Sequence, residues 1–191
     1  MSKHRLEGFS DGVLAVIITI MVLEMKVPHG GDPAALLPLL PVFISYLLSF
    51  VFIGVYWNNH HHLLHAASHV TGRILWANLH MLFWLSLVPF VTGWMGENDF
   101  AALPVALYGF VQLMAGFAFF ILAQSLVATH GRESSLAKAI GNDFKGKASL
   151  VVYLVAVPLA FVSSIAAFVL YVAVAAVWFV PDRRIERAVV P

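Results

Sequence analysis

The sequence predicts an all-α membrane protein with six transmembrane helices, arranged as a single domain over residues 1–191. Hydrophobic residues make up 61% of the 191 residues, and charged residues only 11%. A soluble domain of this length does not keep so large an apolar fraction away from water. In addition, breaks in the sequence divide the apolar residues into six stretches, each close to the roughly 20 residues that cross a bilayer as a helix.

The breaks between the apolar stretches limit each predicted helix in turn. Prolines surround the first connection, the histidine-rich segment 58–69 follows the second helix, and the polar segment 96–99 follows the third. A charged run over 131–147 precedes the fifth helix, which only Ser163 and Ser164 separate from the sixth. One helix of about 34 residues there would overshoot the membrane. In chain order, the helices are predicted near residues 7–27, 36–58, 72–94, 101–128, 147–163 and 164–180.

The distribution of lysine and arginine predicts the orientation of these helices. With six crossings, Lys26 is the single basic residue of eleven on one side, so the other ten share the opposite side. The positive-inside rule therefore places both termini in the cytoplasm. The same asymmetry favours two separate C-terminal helices, because one long helix would move the basic segment 182–187 to the outer side.

Composition also limits the partners and the chemistry. The chain contains no cysteine, which excludes disulfides, thiol catalysis and iron–sulfur ligation. Its net charge of +1 includes no basic run, so we expect no nucleic-acid partner. The expected partners are membrane lipid and further copies of the chain, in a bacterial inner or cell membrane, and no cofactor is expected.

A polar cluster opens the first predicted helix, formed by Arg5, Phe9, Ser10 and Asp11. An ionisable group at membrane depth costs roughly 2.5 to 3.5 kcal/mol unless it pairs or reaches water, so Asp11 is not expected to face lipid. Arg5 and Phe9 share a face while Ser10 and Asp11 point elsewhere, which suits contacts with neighbouring helices. The candidate partners, all near the cytoplasmic ends of the second and third helices, are Trp57, His60, His61, Trp76, Asn78 and His80. The alternative is an interfacial girdle in which Trp and His lie at headgroup depth.

The pattern Arg-x-x-x-Phe-Ser-Asp at positions 5–11 resembles the signature of the lysosomal and prokaryotic TMEM175-type potassium channels. Further similar segments are YWNNHH at 56–61, LWANL at 75–79 and VPDRR at 180–184, so the resemblance extends along most of the chain. It implies a homotetramer around a central pore that is lined by the first helix and closed by a hydrophobic constriction. It also implies a potassium-selective or potassium-preferring channel, in which the signature residues brace that helix and K⁺ is the permeant ion.

The first helix carries a stripe of residues that suits such a pore. At about 100° per residue, Leu14 and Ile18 lie away from this stripe. The stripe comprises Gly12, Val16, Thr19, Ile20, Leu23 and Val27. Facing an axis shared by several copies, its aliphatic rings would stop ions by dewetting, while Thr19 would replace part of an ion's hydration shell. Spacing alone is equally typical of packing or lipid-facing surface.

The narrowest ring is expected at Ile20. In the family, the first constriction position lies five residues after the signature aspartate and usually carries a larger aliphatic side chain. In this chain that position is Val16, whose shorter side chain leaves more room on the axis, and Ile20 lies one turn deeper in the same stripe.

Two other functions compete with the channel. A proton-coupled transporter would relay protons through Asp11 and His60, but the halves show no convincing repeat and no helix is broken at mid-membrane by paired Gly and Pro. A haem or metal site would use the histidine-rich segment, in which helical spacing groups His61, His65 and His69 on one face. No carboxylate accompanies them, so no metal is expected. An enzyme is not expected, because the predicted helices contain no nucleophile motif.

Overall fold

The protein is described by a computed structural model over residues 2–131, 133, 134, 137, 141 and 143–179. Every regular element in these residues is helical, as predicted. The elements are α1 (Lys3–Leu23), a 3₁₀ helix (Pro33–Leu39), α2 (Leu40–His65), α3 (Gly72–Ser86), α4 (Val88–Glu97), α5 (Ala102–His130), α6 (Phe144–Leu159) and α7 (Ser164–Phe179). The VPDRR segment, the basic residues beyond it, Arg132 and Lys138 lie outside the described residues.

Several of these helices are long and apolar enough to cross a membrane. Four such segments are Lys3–Leu23, Pro33–His65, Gly72–Glu97 and Ala102–His130. Ser164–Phe179 is apolar but shorter, with 16 residues. Helix α6 also has 16 residues. Counted with α3 and α4 as one crossing, the described helices fit a six-helix membrane protein.

The predicted third helix is kinked, which is a correction to the sequence analysis. It was expected to run unbroken over 72–94, but α3 ends at Ser86 and α4 begins at Val88. The cause is Pro89, which has no N–H to donate to the carbonyl of Leu85 four residues earlier and whose ring crowds that carbonyl. Instead, Leu87 N–H bonds to the Trp84 carbonyl at 3.2 Å in a tight turn. The chain therefore continues in a helical path with a bend, which we call the α3–α4 kink.

The second helix is longer at its C-terminal end than the apolar run predicted. It was expected to end near residue 58, whereas α2 continues to His65. No proline or glycine interrupts residues 58–65, so backbone hydrogen bonding continues after the apolar stretch has ended. His60 and His61 therefore belong to the last turns of a helix and not to a connection.

The core of the bundle surrounds α5, and α1 lies at its edge. Helix α5 packs against α3, α4, α6 and α7, whereas the main packing partners of α1 among the described helices are α2, α3 and α4. Inside the bundle, the Ser49 hydroxyl lies 2.7 Å from that of Thr92 and 3.1 Å from that of Tyr108. This buried polar cluster joins α2, α4 and α5. Helix α1, at the edge of the bundle, has one packed face and one open face.

Candidate functional site

The face of α1 that carries the predicted pore stripe is uncovered. Leu14, on the packed face, is 1% exposed, whereas Val16 is 55% and Leu23 is 80% exposed. Ile20 is 39% exposed, and Thr19 is exposed as well. The helix therefore presents a continuous apolar surface, which contains one hydroxyl, on the outside of this chain.

The hydroxyl of Thr19 is oriented by its own helix. Its oxygen lies 2.9 Å from the Val16 carbonyl and 3.2 Å from the Ala15 carbonyl, and these two carbonyls share its single hydrogen. Because that hydrogen is engaged inside the helix, the oxygen lone pairs remain available as acceptors on an exposed side chain. This is the chemistry needed to replace water around a cation.

A groove of about 930 Å³ runs beside the stripe, between α1 and the α3–α4 kink. Phe9 and Ile20 line its α1 side, and Phe90 and Trp94 line its α4 side. The carboxylates of Glu24 and Glu97 are among the groups that line it. Three residues of the stripe, Gly12, Val16 and Ile20, line this groove as well.

A chain of three hydrogen bonds holds the other face of α1 near its N-terminal end, and we call it the brace. The Asn78 amide Nδ2 donates to the Ser10 hydroxyl at 2.9 Å, and Ser10 donates to the Leu6 carbonyl at 2.9 Å. The Asn78 oxygen Oδ1 lies 2.7 Å from His60 Nε2. Since this oxygen can only accept, His60 carries its proton on Nε2. Ser10, Asn78 and His60 are all buried, so the brace joins α1, α2 and α3 away from water.

Asp11 is held separately from the brace. The Trp57 indole Nε1 donates to Asp11 Oδ1 at 3.1 Å, which joins α1 to α2 a second time. His61 stacks on the Trp57 ring, with centroids 6.3 Å apart and planes at 28°. The acid at the start of an apolar helix therefore has a donor on the neighbouring helix and does not face lipid alone.

Other predicted members of this site lie apart from the brace. Arg5 and Phe9 are exposed on α1, and within the described residues no hydrogen bond or ion pair joins Arg5 to another side chain. Trp76 is 75% exposed, and His80 instead accepts from the Trp84 indole at 3.0 Å within α3. Sequence reasoning missed the Leu6 carbonyl, although a serine inside a helix often bonds to the carbonyl four residues earlier.

The histidine-rich segment does not form the shared face that spacing predicted. Helix α2 ends at His65, so His69 lies in the connection to α3, where its ring contacts that of His130 in a tilted arrangement with centroids 4.6 Å apart. His61 and His65 stack on each other at 6.0 Å. Among the described residues, no group of three or more His, Asp or Glu side chains is arranged to hold a metal ion.

An ion pair lies at the opposite end of α1. Lys26 Nζ is 2.9 Å from Glu97 Oε1, which joins the chain after α1 to the end of α4. The hydrogen bond to Glu97, together with its negative charge, raises the pKa of Lys26 above the ordinary lysine value. Both groups are exposed, so salt screens this pair and it adds little to stability.

The fold and this site define a multi-pass helical membrane protein in which a buried polar brace positions one edge helix. The family model described as "Endosomal/lysosomal potassium channel TMEM175" matches residues 5–89, which contain the whole brace. A protein named as a potassium channel in Chryseobacterium sp. (strain P1-3) is 49% identical over 188 residues, covering 98% of both chains. The chain therefore belongs to the TMEM175 family, which is a family of ion channels and not of enzymes.

Two further comparisons agree with this assignment. A protein named as a potassium channel in Streptomyces collinus (strain DSM 40733 / Tue 365) is 34% identical over 133 residues, covering 65% of both chains. The crystal structure of a lysosomal potassium-selective channel TMEM175 homolog from Chamaesiphon minutus matches with a TM-score of 0.80 and 27% identity, covering 98% of both chains. The whole described bundle therefore has the architecture of this homolog.

We predict that Asn78→Ala destabilises the protein by about 1 to 3 kcal/mol, because it leaves the His60 donor and Ser10 without their buried partner. Thermal unfolding in detergent would measure the loss. The matched control is Asn98→Ala, since the exposed Asn98, which directly follows α4, donates its amide to the Trp94 carbonyl of that helix at 2.8 Å. Equal losses in the two variants would show that the brace carries no special share of the stability.

Proposed function

We propose that this protein is a potassium-selective or potassium-preferring cation channel, formed by four copies of the chain around a central pore lined by α1. The observation that carries the proposal is the asymmetry of α1, which is braced on one face and uncovered along the other. One helix cannot enclose a pore, so conduction requires several copies around an axis. Relatives named as potassium channels support K⁺ as the permeant ion. We expect no resident cofactor.

Two glycines support the approach of a second α1 to this face. Gly8 and Gly12 are four residues apart and exposed, and a Cβ added at either would meet nothing within 4 Å in this chain. Neither position therefore needs glycine for the packing of its own bundle. Small residues on membrane helices let neighbouring backbones approach closely.

The gate is a hydrophobic constriction built from the rings of Val16, Ile20 and Leu23. Narrow apolar rings exclude ions by dewetting, and the Thr19 hydroxyls lie within the same stretch to take over part of the hydration shell. Ile20 forms the narrowest ring, because its side chain is longer than that of Val16 and lies one turn deeper.

The brace and Asp11 act as structural supports and do not touch ions. Ser10, Asn78 and His60 fix the rotation of α1, so that the stripe faces the axis. Asp11 holds Trp57 and thereby keeps α2 beside α1. Arg5, exposed and near the same end, completes the signature at the cytoplasmic surface, where its side chain reaches headgroups or a neighbouring copy.

The basic end of the bundle faces the cytoplasm of a bacterial cell, and the acidic end faces outwards. The Lys3 ammonium donates to the His65 carbonyl at 3.0 Å, so the N-terminus of α1 and the C-terminus of α2 share the basic end. On the outer side, four acids accompany the single base Lys26: Glu24, Asp32, Glu97 and Asp99. With four copies around one axis, this excess concentrates cations at the pore entrance.

The hydrogen bonds of this site do not support the transporter alternative. A relay through Asp11 and His60 would need a bond between them, but Asp11 accepts from Trp57 and His60 bonds to Asn78. The α3–α4 kink is a bend at a proline with no charged residue in it, unlike the unwound ion sites of broken transporter helices.

Purified protein in liposomes is expected to dissipate a K⁺ gradient without any opposing ion gradient, because a pore needs no exchange partner. Fluorescent flux measurements with K⁺, Na⁺ and H⁺ gradients imposed separately would give the order of permeation. Strict one-for-one exchange of K⁺ with H⁺ would overturn the channel in favour of a transporter.

Val16→Asn, Ile20→Asn and Leu23→Asn are expected to raise conductance, because a polar side chain wets the ring and lowers the barrier to ions. Single-channel recording would rank the three rings, with the largest increase at Ile20. The matched control is Val22→Asn, which is also exposed on α1 but lies off the stripe. If Val22→Asn raised conductance and none of the three did, α1 would be rotated from the proposed orientation.

Asp11→Ala is expected to reduce the yield of assembled oligomer without changing the preference for K⁺ over Na⁺. The variant removes the acceptor of the Trp57 indole, so α2 loses its second link to α1. Size-exclusion chromatography would measure assembly, and bi-ionic flux would measure preference. A fully assembled Asp11→Ala oligomer with altered ion preference would instead identify Asp11 as a pore residue.

A further inference from the structure

The connection between α2 and α3, residues 66–71, packs into the core through Ala67, and its exposed part is bonded to the end of α5 by one imidazole. His130 is the last residue of α5, and its Nε2 lies 3.1 Å from the backbone N of Ser68 and 3.4 Å from that of His69. Its other nitrogen, Nδ1, lies 2.9 Å from the Leu126 carbonyl of its own helix. The side chain thus bridges α5 and the connection through both ring nitrogens.

These partners allow only one protonation state of His130. A backbone N–H can only donate, so Nε2 must accept from Ser68 and His69. A carbonyl can only accept, so Nδ1 must carry the hydrogen and donate to Leu126. The bonded form is therefore the neutral ring with its proton on Nδ1. A proton added to this ring goes to Nε2, which is the atom that holds the connection.

We propose that His130 is an acid-released latch, which holds the α2–α3 connection while neutral and frees it on protonation. A protonated Nε2 no longer accepts, and it points a donor at two other donors. The added charge also lies against the His69 ring, whose centroid is 4.6 Å away. Histidine is the side chain that ordinarily changes charge between pH 5 and 8, which sets the pH range over which the latch is tested.

The latched connection is joined to all three helices of the brace. It follows α2, which carries His60 and Trp57, and precedes α3, which carries Asn78. The Lys3 ammonium of α1 bonds to the carbonyl of His65, the last residue of α2 before the connection. Release of the connection therefore loosens the ends of the helices that fix the rotation of α1. In the proposed channel, acid on the side of the membrane that carries His130 lowers K⁺ flux. This consequence rests on the proposed function, whereas the latch itself does not.

The elements that meet here carry charged and titratable groups of both signs. They are Lys3, His4 and Glu7 on α1, His62 and His65 on α2, His69 in the connection, Arg73 in the first turn of α3 and Glu133 beyond α5. Glu7 lies 3.9 Å from Lys3 and 3.3 Å from His4, so these charges on α1 are paired within that helix. Arg132 lies outside the described residues.

Hydrogen exchange of the connection tests the latch without any need for channel activity. The full-length protein and His130→Gln are compared at pH 7.5 and pH 5.5, following the amides of Ser68 and His69. At each pH, the exchange rate of an amide in the natural protein is divided by the rate of the same amide in His130→Gln. This ratio cancels the intrinsic effect of pH on exchange. Glutamine does not titrate, so a ratio that changes with pH reports protonation of His130 in the natural protein. We expect the ratio to rise by about tenfold at pH 5.5, the size that loss of these hydrogen bonds implies.

The matched control is His69→Gln, which removes an imidazole from the same connection but keeps both backbone donors. It is expected to retain the pH response of the natural protein. A ratio for His130→Gln that is the same at both pH values would overturn the latch, as would loss of the response in His69→Gln. If glutamine itself does not bond to the connection, the amides of the connection exchange fast in the variant at both pH values. The exchange rate of the natural protein then approaches that of the variant on acidification, so the ratio still changes.

Liposome flux tests the consequence for the channel. With the pH varied on the side that carries His130, K⁺ flux through the natural protein is expected to fall between pH 7.5 and pH 5.5, and flux through His130→Gln is expected to stay constant. Equal pH responses in the two proteins would overturn the coupling to α1. Absence of K⁺ flux at every pH would count against the proposed channel, while hydrogen exchange still decides the latch.

Discussion

One buried amide controls how α1 is held in the bundle. Asn78 is fully buried and uses both ends of its side chain, donating to Ser10 and accepting from His60. An unpartnered polar group inside a bilayer costs several kcal/mol, so none of the three helices can turn without loss. A shift of α1 by one residue would move Ser10 by about 100° and break the bond. The brace therefore fixes which residues of α1 are covered and which remain open.

Hydrophobicity alone cannot make this choice. Leu14 is packed inside the bundle and Leu23 is uncovered, yet both are leucines of one apolar helix. Lipid tails are as apolar as these side chains, so no hydrophobic force between helices favours burying one face over the other. Hydrogen bonds and close packing must decide the rotation. A few polar residues at one end thus control the surface presented along the whole length of the helix.

The same reasoning explains what the sequence could predict. Polar groups at membrane depth need partners, so the sequence predicts Trp57, His60 and Asn78 as candidates. Trp57 and Asn78 bond to the signature residues Asp11 and Ser10, and His60 bonds to Asn78. Trp76 was predicted on the same ground and is instead exposed, because an indole at the membrane surface is satisfied without a protein partner. The extension of α2 to His65 was missed, because membrane thickness limits an apolar run and not a hydrogen-bonded helix. The latch was not foreseen, since it pairs a side chain with backbone groups 61 and 62 positions away.

Two histidines near the same end of the bundle differ in what a proton would do to them. His60 uses Nε2 as a donor to Asn78, and a charged imidazole still donates from that nitrogen, so the brace keeps its bond in either state. His130 uses Nε2 as an acceptor, and that function ends when the nitrogen is protonated. His60 is also buried, whereas Ser68 and His69 on the latch are exposed to solvent. Direction of hydrogen bonding and access to water together assign a permanent role to one imidazole and a switchable role to the other.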